Sequence, residues 1–408
     1  MTFRPASVRL LFATRIVRMF AYGIIGVMLV LYLAAAGLGE TRIGLLLTCT
    51  FLGDAAISLG LSTRADRWGR RRTLMVGAAL MALGGWVMAL TGDFTLLLIG
   101  ATLGVISPTG SEVGPFLAVE QACLAQLIDD RDRTRIFAWY NVAGFVATAV
   151  GALAGGLIAA SLQQSGWTAL ASYQVLFTGY GALGVVIGLL SWRLDAKVEA
   201  PEATAGGEPS KKFLGLDESR STVFKLSAIF WIDSFGGGFI VQSFLAYWFH
   251  QRFGVTDAAL GGIFFGANLL SGISALAAVP LARRIGLVNT MVWTHLPSNI
   301  LLMGVPLMPS FGWAVALLLL RHTISQMDVP TRQSYVNAVV PAGERSAANG
   351  VTGTARQLGT SLAPLFAGPL LASAALASVP FFVAGGLKII YDLTLWRNFR
   401  AVKPPEER

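Results

Sequence analysis

Charge is what this chain has least of. Lys, Arg, Asp and Glu make up 13% of its 408 residues, where a soluble globular protein carries about 25%. That is too little to cover a soluble surface of this size. Cysteine is scarcer still, with only Cys49 and Cys123, both in or at the edge of apolar runs. Two such residues provide neither a disulfide framework nor metal-ligand spacing. No glycine-rich stretch ends in the Gly-Lys-Ser/Thr that cradles phosphate, so ATP drive within the chain is not expected. No triad, metal cluster or carboxylate dyad stands out either, so neither an enzyme nor a cofactor is expected.

What fills the chain is apolar sequence in long blocks. Hydrophobic residues make up 54% and glycine contributes 46 positions. Blocks of about 20 apolar residues cross a bilayer core of about 30 Å. Twelve are present, near 10–36, 43–62, 73–91, 95–122, 136–161, 173–192, 223–250, 258–281, 287–308, 312–338, 347–373 and 379–396. Without two-residue alternation they read as helices, the form in which a single segment satisfies its backbone in lipid. The fold class is therefore all-α, a polytopic membrane protein with twelve transmembrane helices. The first block follows basic residues and lacks a small-residue cleavage site, so it reads as a span and not a removed signal.

The net charge of +9 is not gathered on one amphipathic face, which argues against nucleic acid as a partner. It sits in the connectors. With both termini cytoplasmic, the inner connectors carry Arg64, Arg67, Arg70, Arg71, Arg72, Arg131, Arg133, Arg135, Arg193, Lys197, Lys211, Lys212, Arg220, Lys225, Arg283, Arg284 and Arg345. The outer ones carry Arg42 and Arg252. This is a strong positive-inside bias, and it suits the inner (cytoplasmic) membrane. The longest connector contains "KVEAPEATAGGEPSKK", a composition that forms no core. Residues 193–221 are thus a cytoplasmic linker between six-helix bundles at 1–192 and 222–408.

The bundles repeat each other. "RMFAYGII" aligns with "DSFGGGFI", so that Phe20 meets Phe235 and Gly23 meets Gly238; Tyr32 then meets Tyr247. "VEQACLAQ" aligns with "TRQSYVNA", and "GALAGG" with "APLFAG". The offset drifts only from 215 to 212 residues. Inherited repeats of this kind are common in transporters.

The connector "LSTRADRWGRRR" resembles the signature of the major facilitator superfamily between spans two and three. Asp66, Arg67, Gly69, Arg70 and Arg71 match it, while Ser62 stands where glycine is usual. The second copy, "LARRIGLVN", keeps Gly286 but has Arg283 in the aspartate's place. The resemblance implies two pseudo-symmetric six-helix bundles, and it implies that the five matching residues form a conformational latch. The plainer alternative is that the arginines only anchor the topology. In span five "GALAGG" keeps Gly151, Gly155 and Gly156 of an exporter signature but lacks its proline. Span eleven supplies Pro364 and Gly368 at the matching place, and small residues there let helices approach closely. The span-four arginine of drug–proton antiporters is replaced by Ala101.

Ionisable residues inside spans are costly and point to function. In the family, spans one, four, seven and ten line the central cavity, and the charges here concentrate in them. Glu112, Asp233, Asp328 and Asp54 are the candidates for proton coupling. Arg15, Arg18, Phe20, Tyr22, Phe235, Arg321 and His322 are the candidates for the substrate cavity. Glu112 lies in "SPTGSEVGP", where Pro and Gly interrupt the helix. Arg18 and Asp233 occupy equivalent places near mid-membrane, and the expectation is that they face each other as a pair. A permanent structural pair is the alternative. His295 and Arg356 read as packing or interfacial groups, and Lys388 as a snorkelling one.

The function expected is proton-coupled secondary active transport by rocking of the two bundles, exporting a small amphipathic or toxic compound. Uptake or exchange of a small anionic metabolite is one alternative, and a non-transporting receptor or scaffold is the other. The partners expected are a small molecule, protons and the lipid bilayer, with the chain acting as a monomer.

Overall fold

The apolar blocks fold as helices, and every element described is one. The computed structural model describes residues 6–200, 216–341 and 344–402. The linker's middle, with Lys211 and Lys212, lies outside these residues, as do the side chains of Arg131 and Arg133.

In chain order the helices are α1 (Ala6–Ala35), α2 (Glu40–Ser62), the short α3 (Ala65–Trp68), α4 (Arg70–Leu90), α5 (Phe94–Leu103), α6 (Phe116–Leu127), α7 (Asp130–Gln164) and α8 (Ala169–Trp192). They continue with α9 (Arg220–Gly238), α10 (Gln242–Phe253), α11 (Asp257–Ile285), α12 (Leu287–Gly304), α13 (Phe311–His322), α14 (Asp328–Val339), α15 (Arg345–Leu371) and α16 (Val379–Phe399). Nine of the twelve expected spans correspond to single helices. Span four is α5 and α6, span seven is α9 and α10, and span ten is α13 and α14.

Only the first of these breaks was legible. Gly110 and Gly114 have φ of 68° and 75° there, and Val105 is held at φ 50°. A β-branched residue in that region is strained. The Tyr180 hydroxyl donates to the Val105 carbonyl at 2.7 Å and holds it in place. The span-seven break follows the triple glycine 236–238, and the span-ten break precedes Pro330 in the first turn of α14. Proline is tolerated there because that N–H has no helical partner.

The chain divides into two compact units. One holds residues 1–205 and 241–266, and the other 206–240 and 267–408. In the first, α1 packs on α7 and α8, and α4 packs on α8. In the second, α9 packs on α15 and α16, and α12 packs on α16. The repeat extends to single contacts. A Cβ on Gly23 would collide with the Thr148 carbonyl, and one on Gly238 with the Thr360 carbonyl. The two threonines are themselves 212 residues apart. The turns at Gly69 and Gly286 match as well, with φ of 107° and 87°, which is why glycine recurs at both.

Residues 241–266 are tied into the first unit by polar contacts. Tyr247 donates to Glu40 at 2.7 Å. Asp257 accepts from Gln163 at 2.7 Å and from Tyr173 at 3.0 Å. A cleft of about 920 Å³ opens beside Tyr173, Tyr247 and Asp257. In the second unit, Val223, Phe230, Met291, Tyr335, Tyr391 and Leu395 form an apolar core joining α9, α12, α14 and α16.

Glu344, between α14 and α15, caps the start of α9. It accepts from the backbone N–H groups of Asp217, Glu218 and Ser219 and from the Ser219 hydroxyl at 2.5 Å. The Ser219 hydroxyl, together with those backbone donors, lowers its pKa from 4.5 to about 2. A depressed folded-state pKa contributes stability above the unfolded value and loses it as pH falls through the folded one. The wild type should therefore unfold at a higher temperature than Glu344→Gln at about pH 7. That difference should shrink between about pH 4.5 and about pH 2. An unchanged difference across that range would contradict the cap.

Candidate functional site

Two buried charge networks form, one in each unit. In the first, α1 carries Arg15 and Arg18 one turn apart. Arg18 lies twelve residues into the helix, about 18 Å along its axis, and is fully buried. Its guanidinium grips Glu120 of α6 through two bonds of 2.6 and 2.7 Å. It also reaches Glu112 in the span-four break at 3.2 Å. Arg15 pairs with Glu112 at 2.5 Å. Thr14 donates to Glu120 at 2.9 Å, and the Tyr140 hydroxyl donates to it as well. The rings of Tyr140 and Phe116 stack on Arg15 and Arg18, 4.3 and 4.6 Å from the guanidinium carbons. Two arginines thus meet two carboxylates, with aromatic faces completing the shell.

In the second unit, Asp233 of α9 is the hub. Lys388 of α16 reaches it at 2.6 Å, Arg332 of α14 at 3.3 Å and His295 of α12 at 3.8 Å. Arg332 also pairs with Asp328, one turn before it, at 2.8 Å. On its other nitrogen His295 meets Asp392 of α16 at 2.9 Å, and Asn299 donates to Asp392 at 3.1 Å. A histidine therefore stands between two carboxylates.

The sequence sets Arg18 and Asp233 at equivalent positions, and the structure gives both of them an ion pair. Each is engaged inside its own unit, because each helix finds an opposite charge on the span packed beside it. His295 and Lys388 were expected to be packing and snorkelling groups. Both are instead buried in the network, since Asp233 and Asp392 neutralise and hydrogen-bond them. Asp328, a candidate for proton coupling, pairs with Arg332.

The remaining candidates have local partners. Asp54 accepts from the Gly114 N–H at 2.5 Å and from Ser58 at 3.3 Å, pinning the span-four break. Tyr22 is fully buried and donates to the Val113 carbonyl in the same break. The Phe20 backbone lies against Gly151. Phe235 stacks on Trp231 at 4.9 Å and meets Phe366 edge-on. His322 shares a hydrogen bond with Ser271 at 2.9 Å, while Arg321 is buried beside it.

Gly151 and Gly155 lie against α1, and Gly156 lies against Gly261 of α11. Pro364 and Gly368 are buried in α15.

At the signature turn, Arg70 bonds Asp66 at 2.7 Å and Gln126 at 2.8 Å. Glu199 accepts from the Arg70 and Arg71 N–H groups at 2.6 and 3.3 Å. That puts a linker carboxylate on the positive end of α4. Arg67 is exposed.

His295, Lys388 and Asp392 were missed as site residues because polar residues are sparse in their spans and were read one at a time. A signal for them existed: Lys388 and Asp392, like His295 and Asn299, are one turn apart and share a helix face.

Removing one member of a buried pair strands the other, which typically costs about 3–5 kcal/mol. Arg18→Met should therefore lower the thermal midpoint strongly, and Arg18→Met with Glu120→Met should recover much of it. A double variant no more stable than the single one would contradict the pairing.

Comparison with known proteins agrees with this architecture. A model of the Major Facilitator Superfamily matches residues 11–364. An uncharacterised membrane protein of Saccharomyces cerevisiae is 31% identical, over 98% of this chain and 96% of that one. Among solved structures, a bacterial homologue of the human lysosomal transporter Spinster, inward-facing and occupied, superposes with a TM-score of 0.75. It is 15% identical and covers 96% of both chains. A D-xylose–proton symporter gives 0.71 at 14% identity, covering 98% of both.

Proposed function

The chain belongs to the Major Facilitator Superfamily and is a multi-pass membrane transporter rather than an enzyme, and on that footing we propose that it is proton-coupled. In this reading it is a secondary active transporter of the inner membrane. Both termini are cytoplasmic, and the chain works as a monomer that exports a small amphipathic compound by alternating access.

The observation that carries the reading is the position of His295 between Asp392 and Asp233, with Lys388 on the same Asp233 oxygen and Arg332 on the other. Guanidinium groups do not release protons, whereas imidazole and ammonium groups exchange them. The cations named in the first network, Arg15 and Arg18, are both guanidiniums, so that network fixes charge. The second mixes arginine with histidine and lysine around one carboxylate, so a proton arriving at Asp233 or His295 changes which partner Lys388 and Arg332 keep. Asp328 holds Arg332 ready for that exchange. Glu112, the more exposed carboxylate of the first network, is a second proton-accessible group, while Asp54 acts through the span-four break.

The turn from Asp66 to Arg71 is the conformational latch. Its Asp66–Arg70 pair and its Glu199 cap are contacts that a rearrangement can break and remake. The aromatic group around Phe235 suits an amphipathic compound, since stacked rings accept apolar surface.

The test uses proteoliposomes with a trapped pH dye and a radiolabelled amphipathic panel screened first by counterflow. Wild type should move protons with the transported compound. Asp233→Asn and His295→Gln should lose proton movement by about tenfold or more while keeping counterflow, the signature of uncoupling. Full coupling in both variants would end the proposal.

A further inference from the structure

Every arginine of the two networks described above has a carboxylate close by. Arg15 has one at 2.5 Å, Arg18 at 2.6 Å and Arg332 at 2.8 Å. Arg321 and Arg356 do not. Arg321 lies in the last turn of α13, at the span-ten break, and is 8% exposed. Its guanidinium shares a hydrogen bond of 3.5 Å with His322 Nε2, and its Nε has no hydrogen-bond partner among the described residues. Arg356 of α15 is half-buried, its Nε is likewise unpartnered, and its guanidinium makes no ion pair among the described residues. Within the break between α13 and α14 Ser325 is 4% exposed, and its hydroxyl has no hydrogen-bond partner among the described residues.

Both arginines lie within electrostatic range of Asp233 and Asp328. Those carboxylates, however, are already held by Lys388, Arg332 and His295. Counted over the buried and half-buried residues of α9, α12, α13, α14, α15 and α16, four permanent or ammonium cations (Arg321, Arg332, Arg356 and Lys388) accompany three carboxylates (Asp233, Asp328 and Asp392). A buried guanidinium cannot shed its charge and is costly without an anion. It is also the side chain best shaped to grip a planar or tetrahedral oxyanion with paired bonds.

We infer that Arg321 and Arg356, with the Ser325 hydroxyl, bind the anionic head of the transported compound, a carboxylate or phosphate. The inference rests on the reading that the second unit's network serves transport, and it gives that site its substrate class. The compound is then an amphipathic anion, whose apolar part suits the aromatic group of Trp231, Phe235 and Phe366 on α9 and α15. An anion at Arg321 and Arg356 also brings negative charge into range of Asp233. Occupancy and protonation of the hub therefore bear on each other.

The experiment measures equilibrium binding to the purified protein in phosphatidylcholine nanodiscs, with no proton gradient. The probes are octyl phosphate, octanol and octyltrimethylammonium, which share a chain and differ in charge. Octyl phosphate should bind about tenfold or more tightly than the other two and weaken with added salt. Arg321→Gln and Arg356→Gln should each lose about tenfold in octyl phosphate affinity, while Arg321→Lys recovers part of it. Thermal midpoints of the variants establish that they are folded.

Nanodiscs that also contain phosphatidylglycerol tell the source of the anion. Competition by the lipid assigns the site to a bilayer headgroup, and undiminished octyl phosphate binding assigns it to a soluble compound. Both keep the oxyanion chemistry. Equal affinity for octyl phosphate and octanol, or wild-type octyl phosphate binding in both folded glutamine variants, overturns the inference. Proton coupling fails by a different result, namely coupled flux that survives in Asp233→Asn and His295→Gln, so the two failures are distinct.

Discussion

One ion pair, made twice with its signs exchanged, underlies the rest of this molecule. Arg18 on span one meets Glu120 on span four, and Asp233 on span seven meets Arg332 on span ten. The members are separated by the repeat offsets themselves, 215 residues for Arg18 and Asp233 and 212 for Glu120 and Arg332. A bare charge inside a helix bundle is strongly unfavourable. Each unit is accordingly built to keep its pair satisfied. The close approach of α1 to α7 at Gly23 and of α9 to α15 at Gly238 draws the helices together around it. Breaks in spans four and ten lie close to it in sequence, beside Glu112 and Asp328. Tyr140 and Thr14 complete the first shell, and Lys388 and His295 complete the second.

The two copies have diverged in what they can do. The first unit pairs arginine with glutamate and wraps the result in aromatic rings, an arrangement that favours permanence. The second adds a lysine and a histidine to one aspartate, leaves two guanidiniums without an ion pair among the described residues, and so holds surplus positive charge. On the proposed reading, a structural pair and a working pair descend from one position.

The spans and the twofold repeat were legible because bilayer thickness and ancestry both leave long, regular marks on a sequence. Local charge pairing leaves shorter ones. Arg18 and Asp233 occupy equivalent positions in the repeat. Equivalent positions in a repeat occupy the same place in separate units, so their partners are found within each unit. The alignment that set "VEQACLAQ" over "TRQSYVNA" already placed Glu120 above Arg332. His295 and Lys388 stayed hidden because a single polar residue in an apolar helix looks the same whether it snorkels or lies buried. Only the neighbouring helix decides which. The breaks of spans seven and ten were missed for a related reason, since a glycine run or a lone proline in an apolar block is compatible with a continuous helix.

The central claim is that anion binding and protonation act on one network in the second unit. Calorimetric titration with octane-1-sulfonate tests it most directly, because that probe stays singly charged at every working pH. The titration is run in two buffers of different ionisation enthalpy. The account predicts that binding to the wild type takes up or releases protons, so that the measured enthalpy differs between buffers, and that Asp233→Asn removes most of the difference. A buffer-independent enthalpy in the wild type, with binding intact, would contradict it.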